Sequence, residues 1–208
     1  MSVRERKQRE KEQLRQTILD VAGEMFAKEG FENVSLRKIA DRIEYSPTTI
    51  YLYFKDKAEL FECLVEETFT TFLESQNKAL GENRLTDPLD SLRRGMRAYI
   101  DFGLTYPNHY RLIFMTPPLN AEATVYLEEG TTGWDCYCIL RTLIQACIEQ
   151  KLLPPLDLEL LTQTIWSINH GITALLITCL NFPWADREKL IAQVIETAVQ
   201  GLRSQMKE

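Results

Sequence analysis

The sequence predicts an all-α fold of about nine helices, and three observations predict it. Apolar residues recur at three-and-four spacing nearly from end to end. Helix-capping residues punctuate those runs, and no segment alternates apolar and polar side chains as a half-buried strand would. A chain of 208 residues is long enough to bury a sizeable core, and 45% hydrophobic with 26% charged residues is ordinary for a globular protein.

The first helix buries Leu14, Ile18, Val21, Ala22, Met25 and Phe26 on one face, and Gly30 ends it. Ser35 caps a short helix that turns Leu36, Ile39, Ala40 and Ile43 inward. Ser46-Pro47 opens another, with a hydroxyl at the N-cap and a proline at the first helical position, where its missing N–H costs nothing. Asp56-Lys57-Ala58-Glu59 reads as a capping box for a long fourth helix. The polar run Gly81–Asp87 breaks the pattern and Asp87-Pro88 restarts it. Pro107 and Pro117-Pro118 bracket a short piece over Asn108–Met115. A long helix is expected from about Ala121 to Lys151, interrupted near Gly130–Gly133. Pro154-Pro155 ends it, Asp157 caps the next, and Pro183 precedes a last helix rich in Ile191, Val194, Ile195, Ala198 and Leu202.

The two short helices, joined by a turn of about three residues, have helix-turn-helix spacing. Ile50 and Phe54 pack inward, leaving Thr48, Thr49 and Tyr51 to meet base edges and thymine methyls in a major groove. Tyr53, Lys55 and Lys57 follow where phosphates would lie. Ser35 and Arg37 stand at the start of the first short helix, whose free N–H groups also favour an anion. The basic arm Arg4, Arg6, Lys7, Arg9 and Lys11 would track phosphate, or else be a solvated helix extension paired with Glu5, Glu10 and Glu12.

The runs ILDVAGEMFAKEGFENVSLRKIA and SPTTIYLYFKDKAELF, from Ile18 to Phe61, resemble the N-terminal domain of the TetR family of transcriptional regulators. The resemblance implies that Arg37, Ser46, Thr48, Thr49, Tyr51, Tyr53 and Lys57 contact a double-stranded DNA operator. It also implies a DNA-binding domain over 1–56 and a dimerisation and ligand-binding domain over 57–208. One residue departs from the family pattern: Glu44 stands in the turn where glycine is usual, so a turn closed differently, with a slightly tilted recognition helix, is expected.

A helix-turn-helix reads two half-sites about 34 Å apart as a dimer. Leu161, Ile165, Ile168, Ile172, Leu175 and Leu176 on one helix, with Ile191, Val194, Ile195, Ala198 and Leu202 on the last, are the expected homodimer face, with Gly171 allowing close approach. Trp166, His170 and Gly171 spell W-x3-H-G, which with Arg97–Phe114 resembles the WHG type of C-terminal domain in that family. Tyr99, Phe102, Tyr106, Phe114, Met115, Trp134, Tyr137, Cys138, Trp166 and His170 are the candidate pocket for a small hydrophobic effector. The expected protein is a repressor released by that effector. The alternatives are a redox sensor acting through Cys136, Cys138 or Cys147, and a DNA-binding dimer with no ligand.

Charge is unevenly spread. Residues 1–60 carry 12 basic and 11 acidic side chains, whereas the remainder carries 12 and 19, so the net −6 resides in the C-terminal part. That suits a protein touching phosphate at one end only. No apolar run follows the charged N-terminus, and the uncharged stretch Gly171–Leu180 is too short to span a bilayer. With five irregularly spaced cysteines, a cytoplasmic chain with no membrane partner is expected. No catalytic or metal-ligand spacing occurs, so neither enzymatic activity nor a cofactor or metal is expected.

Overall fold

A computed structural model describes residues 2–116 and 127–205, and among them every regular element is helical. The α-helices are α1 (Val3–Glu29), α2 (Leu36–Arg42), α3 (Pro47–Tyr51), α4 (Lys57–Leu80), α5 (Pro88–Thr105), α6 (Pro107–Phe114), α7 (Thr132–Glu149), α8 (Leu158–Thr178) and α9 (Arg187–Ser204). A 3-10 turn, Phe31–Asn33, follows α1. The helix expected from Ala121 begins, among described residues, at Thr132, capped by Thr131; residues 121–126 lie outside the described chain. No described helix is long and apolar enough to cross a membrane.

The capping chemistry that marks these boundaries is in place. Side chains of Ser35, Ser46, Asp87, Asp157 and Asp186 each accept the backbone N–H three residues on. At α4 the box is shifted by one residue. Asp56 accepts from Glu59 N–H at 2.9 Å, but Glu59 returns its carboxylate to the N–H of Lys55 at 2.5 Å.

The chain forms two compact units: Met1–Thr68 with Asn108–Tyr126, and Phe69–Pro107 with Leu127–Glu208. In the first, Ile18, Leu19, Ala22 and Phe26 of α1 are buried, as are Ile39 and Ala40 of α2, Ile50 of α3, and Leu60, Phe61 and Leu64 of α4. Phe26, Phe31 and Phe61 form a ring trio with centroids 5.2–5.5 Å apart, edge-to-face at Phe61, the arrangement that aromatic quadrupoles favour. Gly23 lets α1 and α4 meet, since a Cβ there would stand 3.3 Å from a Leu64 methyl.

In the second unit, α5, α7, α8 and α9 share a core of Leu92, Met96, Ile100, Ile144, Ile165, Leu176, Ile191 and Val199. Outside it, Arg93 of α5 grips Glu196 of α9 through two nitrogens, at 2.8 and 3.2 Å, and Arg97 reaches Glu188 at 2.6 Å. The Arg93 guanidinium, with Gln200, holds the Glu196 carboxyl down at about 2. A carboxyl whose folded value is depressed stabilises the fold above its unfolded value and loses that contribution as pH falls towards the folded one. Glu196→Gln should therefore lower stability near neutral pH by only about 1 kcal/mol, solvent screening limiting the pair. It should also flatten the loss of stability between pH 5 and pH 2, read as denaturant midpoints across that range.

Candidate nucleic-acid interface

Helix α3 is only five residues long, so its neighbours define its orientation. Ile50 and Phe54 anchor it in the first unit's core. The Ser46 hydroxyl accepts the Thr49 N–H at 3.2 Å and lies 2.9 Å from the Thr49 hydroxyl. Thr48, Ser46 and Tyr51 are then exposed, Tyr51 by 58%, and Thr49 and Tyr53 are half-buried beside them. Ser35 and Arg37 are exposed on the first turn of α2, the Ser35 hydroxyl accepting the Lys38 N–H at 3.2 Å. Lys55 is exposed, its ammonium 4.0 Å from Asp56.

The turn between α2 and α3 corrects one expectation. Glu44 does adopt the left-handed conformation, φ 61°, but the turn closes in the usual way. Tyr45 N–H reaches the Ala40 carbonyl at 3.0 Å and Glu44 N–H reaches Asp41 at 3.3 Å, the paired bonds of a Schellman motif. The chain accepts the strain of a Cβ in that region instead of changing the turn, so no tilt of α3 follows from it. Lys57 behaves differently from Lys55. Its ammonium donates to the Phe31 carbonyl at 2.8 Å and sits 4.0 Å from the centre of the Phe31 ring. In the free chain Lys57 therefore ties the start of α4 to the 3-10 turn, a structural role that motif position alone did not disclose.

Comparison with known proteins agrees with this geometry. Residues 18–64 match the family model described as bacterial regulatory proteins, tetR family, and residues 92–198 match the one described as tetracyclin repressor-like, C-terminal domain. The transcriptional regulator AcrR of Shigella flexneri is 31% identical over 170 residues, spanning 78% of this chain and 75% of its own. The chain belongs to the TetR family. The transcriptional activator FasR of Mycolicibacterium smegmatis is 28% identical over 126 residues, 58% of this chain and 57% of that protein. Among solved structures, the fatty acid degradation regulator FadR of Bacillus halodurans superimposes with a TM-score of 0.73 at 21% identity, covering 91% of this chain and 96% of that one, a likeness of fold. As a TetR family member the chain is a DNA-binding transcription regulator.

The candidate pocket residues divide between the units. Phe114, half-buried, and Met115, exposed, belong to the first. Tyr99, Phe102, Tyr106, Trp134, Tyr137, Cys138, Trp166 and His170 belong to the second. There a continuous aromatic series runs Trp134–Tyr137–Trp166 and Phe72–Phe102–Tyr106, ring centres 4.8–5.9 Å apart. Tyr99 joins the two parts, meeting Phe72 edge-to-face with ring centres 5.5 Å apart and accepting the Trp166 indole N–H at 3.2 Å. The Tyr137 hydroxyl donates to Glu159 at 2.7 Å, and burial together with that carboxylate raises it to about 12. Burial lowers His170, so the ring is neutral at pH 7. Sequence reasoning missed Phe72, and also Gln76 and Asn169. Their side-chain oxygens are buried and, among the described residues, without a hydrogen-bond partner. Gln76 lies one turn after Phe72, and Asn169 three residues after Trp166, a helical spacing that signals a shared face only once the aromatic face is known.

The residues of the expected dimer face differ in exposure. Eight of its eleven residues, Leu161, Ile165, Ile172, Leu176, Ile191, Ile195, Ala198 and Leu202, are already buried in the single chain's own core. A side chain buried in one chain has little surface left for a partner. Leu175, 48% exposed, and the half-buried Ile168 and Val194 retain some. Ile168 and Leu175, with Leu160, Thr164 and Gly171, trace a helical stripe on α8, and among the described residues nothing lies within 4 Å of a Cβ built at Gly171.

Two outcomes test this description. Glu44→Gly should stabilise the fold by about 1 kcal/mol, by removing left-handed strain from a turn whose bonds stay the same; the measurement is a shift of denaturant midpoint at constant slope. Lys57→Ala should cost about 1 kcal/mol, through the lost cation–π and carbonyl contacts, while Lys55→Ala costs almost nothing. Equal melting temperatures for the two lysine variants would refute the structural role of Lys57.

Proposed function

We propose that this TetR family member is a one-component repressor that binds a two-fold operator as a homodimer and is released by a small hydrophobic effector. The reading rests chiefly on one observation: α3 presents Thr48, Thr49 and Tyr51 outward from a core that holds Ile50 and Phe54 still. Arg37, Ser46, Tyr53 and Lys55 surround that surface, and DNA-reading function is assigned to 1–56, with dimerisation and effector response assigned to 57–208. The homodimer is assigned to the α8 stripe of Leu160, Ile168, Gly171 and Leu175, completed by Val194 of α9. Two such stripes together with α9 would make an intersubunit helical bundle.

The effector is assigned to the aromatic series of the second unit, where a flat or elongated apolar molecule would find ring faces and two unpaired amide oxygens, Gln76 and Asn169, to orient a donor group. The C-terminal domain is assigned to the WHG type on Trp166, His170 and Gly171. An effector that binds better to the dimer geometry poorly matched to two major grooves lowers operator affinity by that difference in affinity alone. The redox alternative gains no support. Burial pushes Cys147 up to about 12 and raises Cys138, while Cys136 is buried with its thiol on the Phe69 carbonyl, and a protonated thiol is a poor nucleophile.

Selection of duplexes by the full chain from a random-sequence pool should recover an inverted repeat, and Tyr51→Ala or Thr48→Ala should abolish the enrichment without changing the melting temperature. Recovery of no preferred sequence by the wild type would refute operator recognition. Leu175→Arg should give a monomer of unchanged helicity by light scattering, whereas Leu176→Arg, one residue on but buried, should unfold the chain. A Leu175→Arg variant that remains dimeric would remove α8 from the interface.

A further inference from the structure

The N-terminal half of α1 has no counterpart in the core. From Val3 to Gln13 every side chain is exposed, so about three turns of helix, roughly 16 Å, stand beyond the last packed residue. A free helix of this length is marginal in water. Here it is propagated from the buried segment behind it and closed in front by a capping box, in which Ser2 and Glu5 exchange side-chain and backbone bonds.

The arm's three acids are each occupied within the arm. Glu5 takes the Ser2 N–H at 2.7 Å, Glu10 takes Arg6 at 3.5 Å, and Glu12 takes the Gln8 amide at 2.8 Å. Arg4, Lys7, Arg9 and Lys11 have no ion pair among the described residues. Lys7, Lys11 and Leu14 share one face, and that face borders an open groove of about 690 Å³. Its other wall is Tyr45, Leu52 and Tyr53, the residues on either side of α3. Leu52 is 74% exposed and Tyr45 about half, so this wall offers apolar surface and phenol hydroxyls next to two unpaired ammonium groups.

We propose that this groove is a second DNA-backbone site, in which Lys7 and Lys11, with the Tyr45 and Tyr53 hydroxyls, clasp the sugar–phosphate strand flanking the segment read by α3. The inference rests on the operator-binding reading above, and it commits to duplex DNA because the groove is continuous with both ends of the recognition helix. Charge complementarity points the same way: the acid in the groove, Glu10, is already answered by Arg6. Ammonium groups neutralise phosphate, hydroxyls donate to its oxygens, and Leu52 covers the deoxyribose. The contact carries no sequence information; it lengthens the footprint and raises affinity.

The test uses the full chain and the duplex recovered by selection, in two lengths: one ending at the recovered repeat, the other extended on each side by about five base pairs, the reach of the arm. Lys7→Ala/Lys11→Ala should bind the longer duplex about tenfold more weakly at about 0.15 M salt and flatten the slope of log K against log salt by about 1.8, two phosphates' worth. It should bind the shorter duplex as the wild type does. Lys78→Ala/Lys189→Ala, which removes the same net charge elsewhere, should leave both unchanged. Tyr45→Phe should weaken the longer complex about threefold with no change of slope, the signature of a lost neutral hydrogen bond. If the Lys7/Lys11 pair matches the wild type in affinity and slope on both duplexes, or if the control pair falls equally, the groove site is wrong while operator binding stands. If the wild type selects no duplex, the operator reading fails and this inference falls with it.

Discussion

The recognition surface depends on a helix too short to exist alone. Five residues close barely one turn, and nucleating that turn in water is unfavourable. What keeps α3 in place is the burial of Ile50 and Phe54 in the first unit's core, together with the hydrogen-bonded turn that leads into it. Thr48, Thr49 and Tyr51 owe their common face to those two apolar anchors. A change at Ile50 would disturb that face from behind, because its polar side chains have no rigidity of their own. The same logic explains why Lys57, on a neighbouring helix, is spent on Phe31: it holds the other side of the frame.

Local chemistry made much of this legible beforehand. The caps at Ser35, Ser46, Asp87 and Asp157 involve groups three residues apart, so the sequence that encodes them is also the structure that uses them. The all-helical class followed from periodicity for the same reason. Glu44 was legible as an anomaly but not in its resolution. Whether the chain tolerates left-handed strain or rebuilds the turn depends on bonds from the Tyr45 and Glu44 N–H groups to the Ala40 and Asp41 carbonyls, whose competing geometries have no sequence signature.

Faces were harder than elements. Leu175 and Leu176 are the same residue type in adjacent positions, yet one is half exposed and the other buried. Helix α8 buries two flanks, Leu161, Ile165, Ile172 and Leu176 on one and Thr162, Asn169 and Thr173 on the other, so apolar content cannot identify the flank left for a partner. Gln76 and Asn169 were invisible for a related reason. A buried amide oxygen becomes notable only when its surroundings fail to satisfy it, and that failure belongs to the packing, not to the residue.

The same distinction governs the charges. A chain with net −6 binding a polyanion looks contradictory only if charges are counted rather than placed. All of the excess acid lies beyond residue 60, where some carboxylates are tied into pairs such as Arg93–Glu196 and Arg141–Glu159. In the arm, interleaved glutamates dilute the basic run on paper. In the folded helix each turns to a partner along the arm, leaving lysines on the face that borders α3. A helix converts a mixed sequence of charges into separate stripes, because residues three and four apart meet while adjacent ones diverge. The field that DNA would meet is therefore a property of helical phase: the faces one residue to either side, Arg6/Glu10/Gln13 and Gln8/Glu12/Arg15, carry no net charge.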